Sequence, residues 1–178
     1  MSWRNARILF LLGATALLCA CGFQLRGADN SSTLLPTEWR SMHLVTGNPN
    51  SEFARVLVTQ FEVNNVQWAE REAANYILLL GPEEFRQRNL SLNSEARAAE
   101  FELTMRARFT VQHADRRVAM EETIASVVNQ MENDPRNVVG KSEEIRLLRQ
   151  EMRRELAQQI LRRIGFFAAS LQASSEST

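Results

Sequence analysis

The clearest pattern in the chain lies between Phe101 and Val111. Phe101, Leu103, Met105, Ala107, Phe109 and Val111 alternate with Glu102, Thr104, Arg106, Arg108 and Thr110. Six apolar positions at period two predict an antiparallel strand with one buried and one wet face. Ala114-Asp115-Arg116 reads as a turn, and Val118, Met120, Ile124 and Val128 supply the next strand, with its register blurred near Glu121-Glu122. Upstream, Trp39 to Val45 alternate loosely and predict a first strand. Asn48 is placed as an N-cap with Pro49 at the first helical position. Phe53, Leu57 and Phe61 recur at i+4 with Val56 beside them, so 49–63 reads as an amphipathic helix ended by Asn64-Asn65. Val66 to Ala69 predict a short strand, and Tyr76 to Leu80 an unbroken apolar one. Pro82 argues for an edge strand or a bulge just beyond it.

A second helix is written after residue 141. Ser142 is placed as its cap, with Glu143 and Glu144 in the first turn. Ile145, Leu148, Met152, Leu156 and Ile160 form its stripe, and Gly165 is the expected stop. Phe166 and Phe167 are expected to pack back on the domain, and 170–178 to form a polar tail. Two one-sided helices and a one-sided sheet must bury their faces on each other. The fold class is therefore α+β, a two-layer sandwich of an antiparallel or mixed sheet of about four strands packed by two helices.

The first twenty residues follow a different rule. Arg4 and Arg7 precede an apolar run from Ile8 to Leu18, about half the length a spanning helix needs. A basic start followed by a short apolar run is the pattern of a secretory signal peptide. It ends in Leu18-Cys19-Ala20-Cys21-Gly22, which resembles the lipobox of bacterial lipoproteins. That resemblance requires a small residue before the modified cysteine. Ala20 meets it for Cys21 and Leu18 fails it for Cys19, so Cys21 is the expected lipidation site. Its acyl chains are the only prosthetic group expected, and no cofactor is. Gly22 after the cysteine, in place of Asp, implies sorting to the outer membrane by the same resemblance. The division expected is a signal peptide over 1–20, a lipidated extended lead over 21–37, an α+β domain over 38–169 and the tail.

Composition narrows the chemistry. The 178 residues hold 21 basic and 21 acidic side chains, so the chain carries no surplus charge for a non-specific nucleic-acid binder. Two Cys and two His leave little from which to assemble a metal site or a nucleophile–base pair, and no spacing resembles either. There is no glycine-rich phosphate loop and no Gly-x-Ser-x-Gly elbow. His43 and His113 are read as edge or solvated histidines on strands at opposite ends of the sheet region. No catalytic residue is assigned, and the chain is read as a non-enzyme. What remains is basic side chains near predicted loop tips: Arg86, Arg88 and Arg97 around Asn93-Ser94-Glu95, and Arg136 and Lys141 before the last helix. Such groups bind phosphate as forks or point charges.

The segment Cys21-Gly22-Phe23-Gln24-Leu25-Arg26-Gly27, opening at the lipobox, resembles the mature start of the LPS-assembly lipoprotein (LptE) family. The likeness continues through the strand entry at Trp39, the Gly-Asn-Pro-Asn turn and first helix. It then takes in Ala-Glu-Phe-Glu-Leu at 99–103, the Asn133-Asp134-Pro135 loop and the long last helix. The resemblance implies an outer-membrane subunit that plugs the β-barrel protein LptD and binds lipopolysaccharide during its insertion into the outer leaflet. It puts a loop lysine contact on Lys141. A second basic contact of the family falls on Ser94 here, a departure for which nearby Arg97 is the expected substitute. Arg136 joins the set by proximity. The competing reading is a structural or chaperone-like lipoprotein that tethers another envelope protein.

Overall fold

The computed structural model describes residues 35–92, 98–132 and 138–176. The signal peptide, Cys21 and the lead through residue 34 lie outside them. The chain enters through a 3-10 turn, Thr37–Arg40, where a strand was expected to begin. Trp39 is buried there, stacked on Tyr76 at 3.9 Å between ring centroids and met edge-on by Phe167 at 6.0 Å. Strand β1 (Ser41–Thr46) follows. Helix α1 spans Glu52–Val63. Its cap is Ser51, whose Oγ accepts from the Ala54 amide at 3.1 Å. Asn48 instead accepts from the Asn50 amide in a tight turn, which moves the helix start past Pro49. Asn64 closes the helix, and Asn65 takes the left-handed backbone (φ 65°) that asparagine tolerates better than most residues.

The sheet has six strands rather than about four. The others are β2 (Gln67–Trp68), β3 (Tyr76–Leu80), β4 (Glu84–Leu92), β5 (Ala98–His113) and β6 (Val118–Glu132). β1 runs parallel to β2 and β3, and β5 runs antiparallel to β3, β4 and β6, so the sheet is mixed. β3 pairs with residues 109–113 of β5 and β4 with residues 98–106, while β6 pairs along nearly the whole other edge. β3 and β4 thus lie end to end along one side of β5. Pro82 sits at the break between them. Gly81 makes the approach possible there: its amide donates to the Arg108 carbonyl at 2.9 Å, and a Cβ would stand 3.2 Å from that oxygen.

Helix α2 spans Val138–Glu176, 39 residues. Ser142 is inside it, not at its cap. Gly165 does not stop it, and residues expected to form the polar tail continue it to Glu176. At 1.5 Å per residue this is a rod of nearly 60 Å. Met152, Leu156, Ala157, Ile160, Leu161, Ile164 and Ala168 are all buried, which extends the predicted stripe two turns past its expected end. Phe167 packs into the core as expected, but Phe166 points out, 74% exposed. No helix among the described residues is long and apolar enough to cross a membrane.

Both helices cover one face of the sheet. Phe53, Leu57 and Phe61 of α1 and the stripe of α2 meet Phe101, Leu103, Met105, Phe109 and Val111 of β5 in one apolar cluster. In β6 the register differs from the expected one. Ala125, Val127 and Met131 face the core, whereas Ile124 and Val128 face out. The expected parity holds at Met120, which lies opposite Val111 and packs against the core, and is lost beyond it, where a register shift at Glu121-Glu122 exchanges the two faces of the strand.

Candidate functional site

The expected ligand contact Lys141 lies one turn inside α2. Its ammonium sits 4.0 Å from the centroid of the Phe101 ring, on the inner face at the start of β5. A cation over an aromatic face is held there by the ring quadrupole. The strand ends around it converge: Leu92 pairs with Ala98, and Glu100 with Glu132. Segments 93–97 and 133–137 therefore leave the sheet from the same end as Lys141. Ser94, Arg97 and Arg136 fall in those segments, outside the described residues, as Cys21 does. Of the four expected site residues, the structure places Lys141.

The other candidate bases are on the wet face. Arg88 forks onto Glu102 at 2.6 and 3.0 Å, and Arg106 puts two nitrogens on Glu84 at 2.8 and 2.9 Å. These bonds hold the carboxyls of Glu102 and Glu84 below the usual carboxylate range and push Arg88 up. Arg86 stands between them in register with Thr104. With Arg88 and Arg106 paired, this face of alternating charge suits a polar, hydrated contact.

The histidines are not at opposite ends of the sheet. β3 lies between them, with His43 opposite Ile77 and His113 opposite Tyr76. The parallel β1–β3 pair and the antiparallel β3–β5 pair bring the start of β1 and the end of β5 to the start of β3. His43 Nδ1 is 2.9 Å from the Ala69 carbonyl, and His113 leans on the Tyr76 ring at 5.1 Å. Among the described residues no group of His, Cys, Asp and Glu is arranged to hold a metal ion.

Two arginines of α2 escape the sequence reading. Arg153 is largely buried and forks onto Glu83 at 2.6 and 2.7 Å while also bonding Glu52, which ties α2 to both α1 and the β3–β4 break. The bond to Glu83 raises its pKa. Arg149 lies over Phe85, its guanidinium carbon 3.8 Å from the ring centroid. The available signal was spacing. Arg149 is four residues after Ile145 and three before Met152, so it belongs to the buried stripe and not to the wet side.

A family model described as LptE, lipopolysaccharide-assembly, matches residues 39–164. The LPS-assembly lipoprotein LptE of Yersinia pestis (strain Pestoides F) is 29% identical over 165 residues, covering 90% of this chain and 76% of that one. The protein of the same name from Yersinia pseudotuberculosis serotype O:1b (strain IP 31758) gives the same values. Among solved structures, rare lipoprotein B from Shewanella oneidensis superposes with a TM-score of 0.66 at 26% identity, over 74% of this chain and 98% of that one. Lipoprotein B from Nitrosomonas europaea shares the fold, with a TM-score of 0.67 at 21% identity over 83% and 93% of the two chains. The family's role is assembly and not catalysis. The family match spans the sheet, α1 and α2 up to Ile164, and the chain belongs to the LptE family of lipopolysaccharide-assembly lipoproteins.

Proposed function

We propose that the protein is a lipid-anchored subunit of the outer-membrane lipopolysaccharide translocon. Acyl chains on Cys21 hold it to the membrane, its two-layer body plugs the lumen of the β-barrel LptD, and it binds lipopolysaccharide during insertion. Lys141, Arg97 and Arg136 meet the phosphorylated glucosamine head. The observation that carries the reading is the seat of Lys141. Its ammonium is fixed on Phe101 at the end of the sheet where the segments bearing Arg97 and Arg136 depart.

The physics of each part is consistent. Several buried acyl chains, at about 0.8 kcal/mol per CH₂, anchor a protein for its lifetime. A wet face of preformed Arg–Glu pairs lies against a polar barrel lining without burying unpaired charge. A few basic tips engage phosphates without a net positive protein, and such contacts weaken with salt.

Copurification tests the reading. The tagged full chain, extracted from membranes in detergent, is expected to bring down a large β-barrel protein in equal amount together with lipopolysaccharide. Lys141→Glu is expected to keep the barrel and lose most of the lipopolysaccharide, and Cys21→Ala to lose palmitate labelling. Recovery of peptidoglycan or a soluble protein in place of the barrel would favour the tethering role. Undiminished lipopolysaccharide on the folded Lys141→Glu variant removes the proposed contact.

A further inference from the structure

A cleft of about 370 Å³ opens where the start of α1, the first turns of α2 and β4 meet. Arg149 lies at its floor. One face of its guanidinium is taken by Phe85, and its Nε is shut off from solvent with no hydrogen-bond partner among the described residues. A buried donor left unmet is costly, and native folds satisfy nearly all of them.

The neighbours explain why the protein itself does not supply the acceptor. Arg146 is paired with Glu143, and Arg153 with Glu83 and Glu52. Each of these carboxylates is already engaged, so Arg149 is the cation of the cleft with no acid of its own among the described residues. Three guanidiniums and the Glu52 carboxylate line the cleft, and Glu143, Glu83 and Glu52 already offset the charges of Arg146 and Arg153. Among the described residues the one uncompensated charge is that of Arg149, which a singly charged anion neutralises, and two coplanar oxygens match the paired terminal nitrogens of its guanidinium. The Gln87 and Gln150 amides line the same space and offer donors and acceptors to hydroxyl groups, and Ile145 offers an apolar contact.

We infer that this cleft binds an acidic sugar: a carboxylate on a polyhydroxylated body, forked by Arg149 and held at its hydroxyls by Gln87 and Gln150. Arg149 itself is eight residues and about 12 Å further along α2 than Lys141, although the cleft extends to Ser142. The site stands whether or not lipopolysaccharide is the ligand of Lys141.

The side-chain Nε–H of Arg149 is itself the probe. Shielded from solvent, it exchanges slowly and gives a resolved nitrogen–proton resonance, assigned by its loss in Arg149→Lys. With the full chain in detergent micelles, glucuronate is expected to move that resonance saturably at millimolar concentration. Glucose is expected to leave it in place, and acetate to need about tenfold more. Arg149→Gln is expected to weaken glucuronate binding at least about tenfold. Where that variant loses its helical circular dichroism, Gln87→Ala, an exposed change, should still weaken binding severalfold. No saturable movement with glucuronate overturns the inference, as does an equal response to glucose. Tighter binding of inorganic phosphate overturns the carboxylate assignment. A chain that retains lipopolysaccharide but gives no glucuronate response defeats this inference alone.

Discussion

Replacing Arg153 by methionine removes a cation that joins α1, α2 and the β3–β4 break while keeping most of the side chain's apolar stem. The cost follows from what is left behind. Arg153 is 13% exposed and Glu83 is 24% exposed, whereas Glu52 is 60% exposed. Breaking a fully buried pair costs about 3–5 kcal/mol, because the remaining charge is stranded, and an exposed pair is worth roughly 0–1. The Glu83 limb belongs near the first case and the Glu52 limb to the second. The expected loss is about 2–3 kcal/mol, nearly all through Glu83. In a chain of this size each kcal/mol moves the midpoint by about 2–4 °C, so thermal unfolding by circular dichroism should fall by about 8 °C. Glu83→Gln in the Arg153→Met background removes the stranded charge and should restore about 1–2 kcal/mol, a coupling that a double-mutant cycle measures directly. Glu52→Gln alone should cost no more than about 0.5 kcal/mol. A loss below about 1 kcal/mol for Arg153→Met, or equal losses for Glu83→Gln and Glu52→Gln, would refute the assignment.

Three further outcomes follow from named contacts. Glu84, Glu102, Asp115 and Glu143 are each held below the usual carboxylate range by an arginine bond. Their stabilisation is therefore complete above the unfolded values near about pH 4 and disappears as pH falls through the lower folded values. The urea midpoint should be level from about pH 7 to 5 and drop below about pH 4. High salt should shrink the drop at Glu84, Asp115 and Glu143, and least at Glu102, whose side chain is 16% exposed. Val127→Lys should cost more than about 3 kcal/mol and Val128→Lys less than about 0.5, measured by the same urea unfolding, because Val127 faces the core and Val128 the solvent. Reversal of that order would mean the opposite register for β6. Ser51→Ala should cost about 1 kcal/mol through the lost cap, and Asn48→Ala should cost less.

The layers and most elements were legible because period two and period 3.6 survive wherever one face is buried. β5 declares itself in six alternating positions and α2 in its stripe. The failures have specific causes. The stop at Gly165 was misplaced because glycine's local preference is worth only about 1 kcal/mol, less than the burial of Ile164 and Ala168 on either side of it. The strand expected from Trp39 yields to a 3-10 turn because stacking on Tyr76 places the ring inside. In β6 the expected face holds at Met120 and fails beyond it, because the register shift at Glu121-Glu122 moves every later residue to the other face. Of the site, Lys141 was reachable through resemblance. Spacing puts Arg149 in the buried stripe, but what Arg149 and Arg153 meet there was not legible, since their partners Phe85, Glu83 and Glu52 are more than sixty residues away in sequence. Long-range pairing of a charged residue leaves no local mark.

The exposed side of β6 shows how the long helix also governs association. In an antiparallel strand alternate residues turn both backbone groups to the same edge. Ala125 and Val127 turn theirs to β5, so Ile124, Ser126, Val128 and Gln130 present theirs outward, an invitation to a second strand. Three of these groups are blocked by side chains. Gln159 Oε1 accepts from the Ser126 amide at 2.9 Å, Arg163 Nη1 donates to the Ile124 carbonyl at 2.7 Å, and Asn129 Oδ1 accepts from the Gln130 amide at 2.8 Å. Gln159 and Arg163 are one helical turn apart on α2, so the helix that fills the core also lays two polar side chains along the open edge. The double change Gln159→Ala and Arg163→Ala should cost about 1–2 kcal/mol and free that edge. The full chain in detergent should then form concentration-dependent dimers by sedimentation, with Ile124 and Val128 adding apolar contact beside the new pairing. A variant that loses the stability but stays monomeric at every concentration would mean that Asn129 alone suffices to close the edge. A variant that loses neither would mean that the two helix side chains do not cap it.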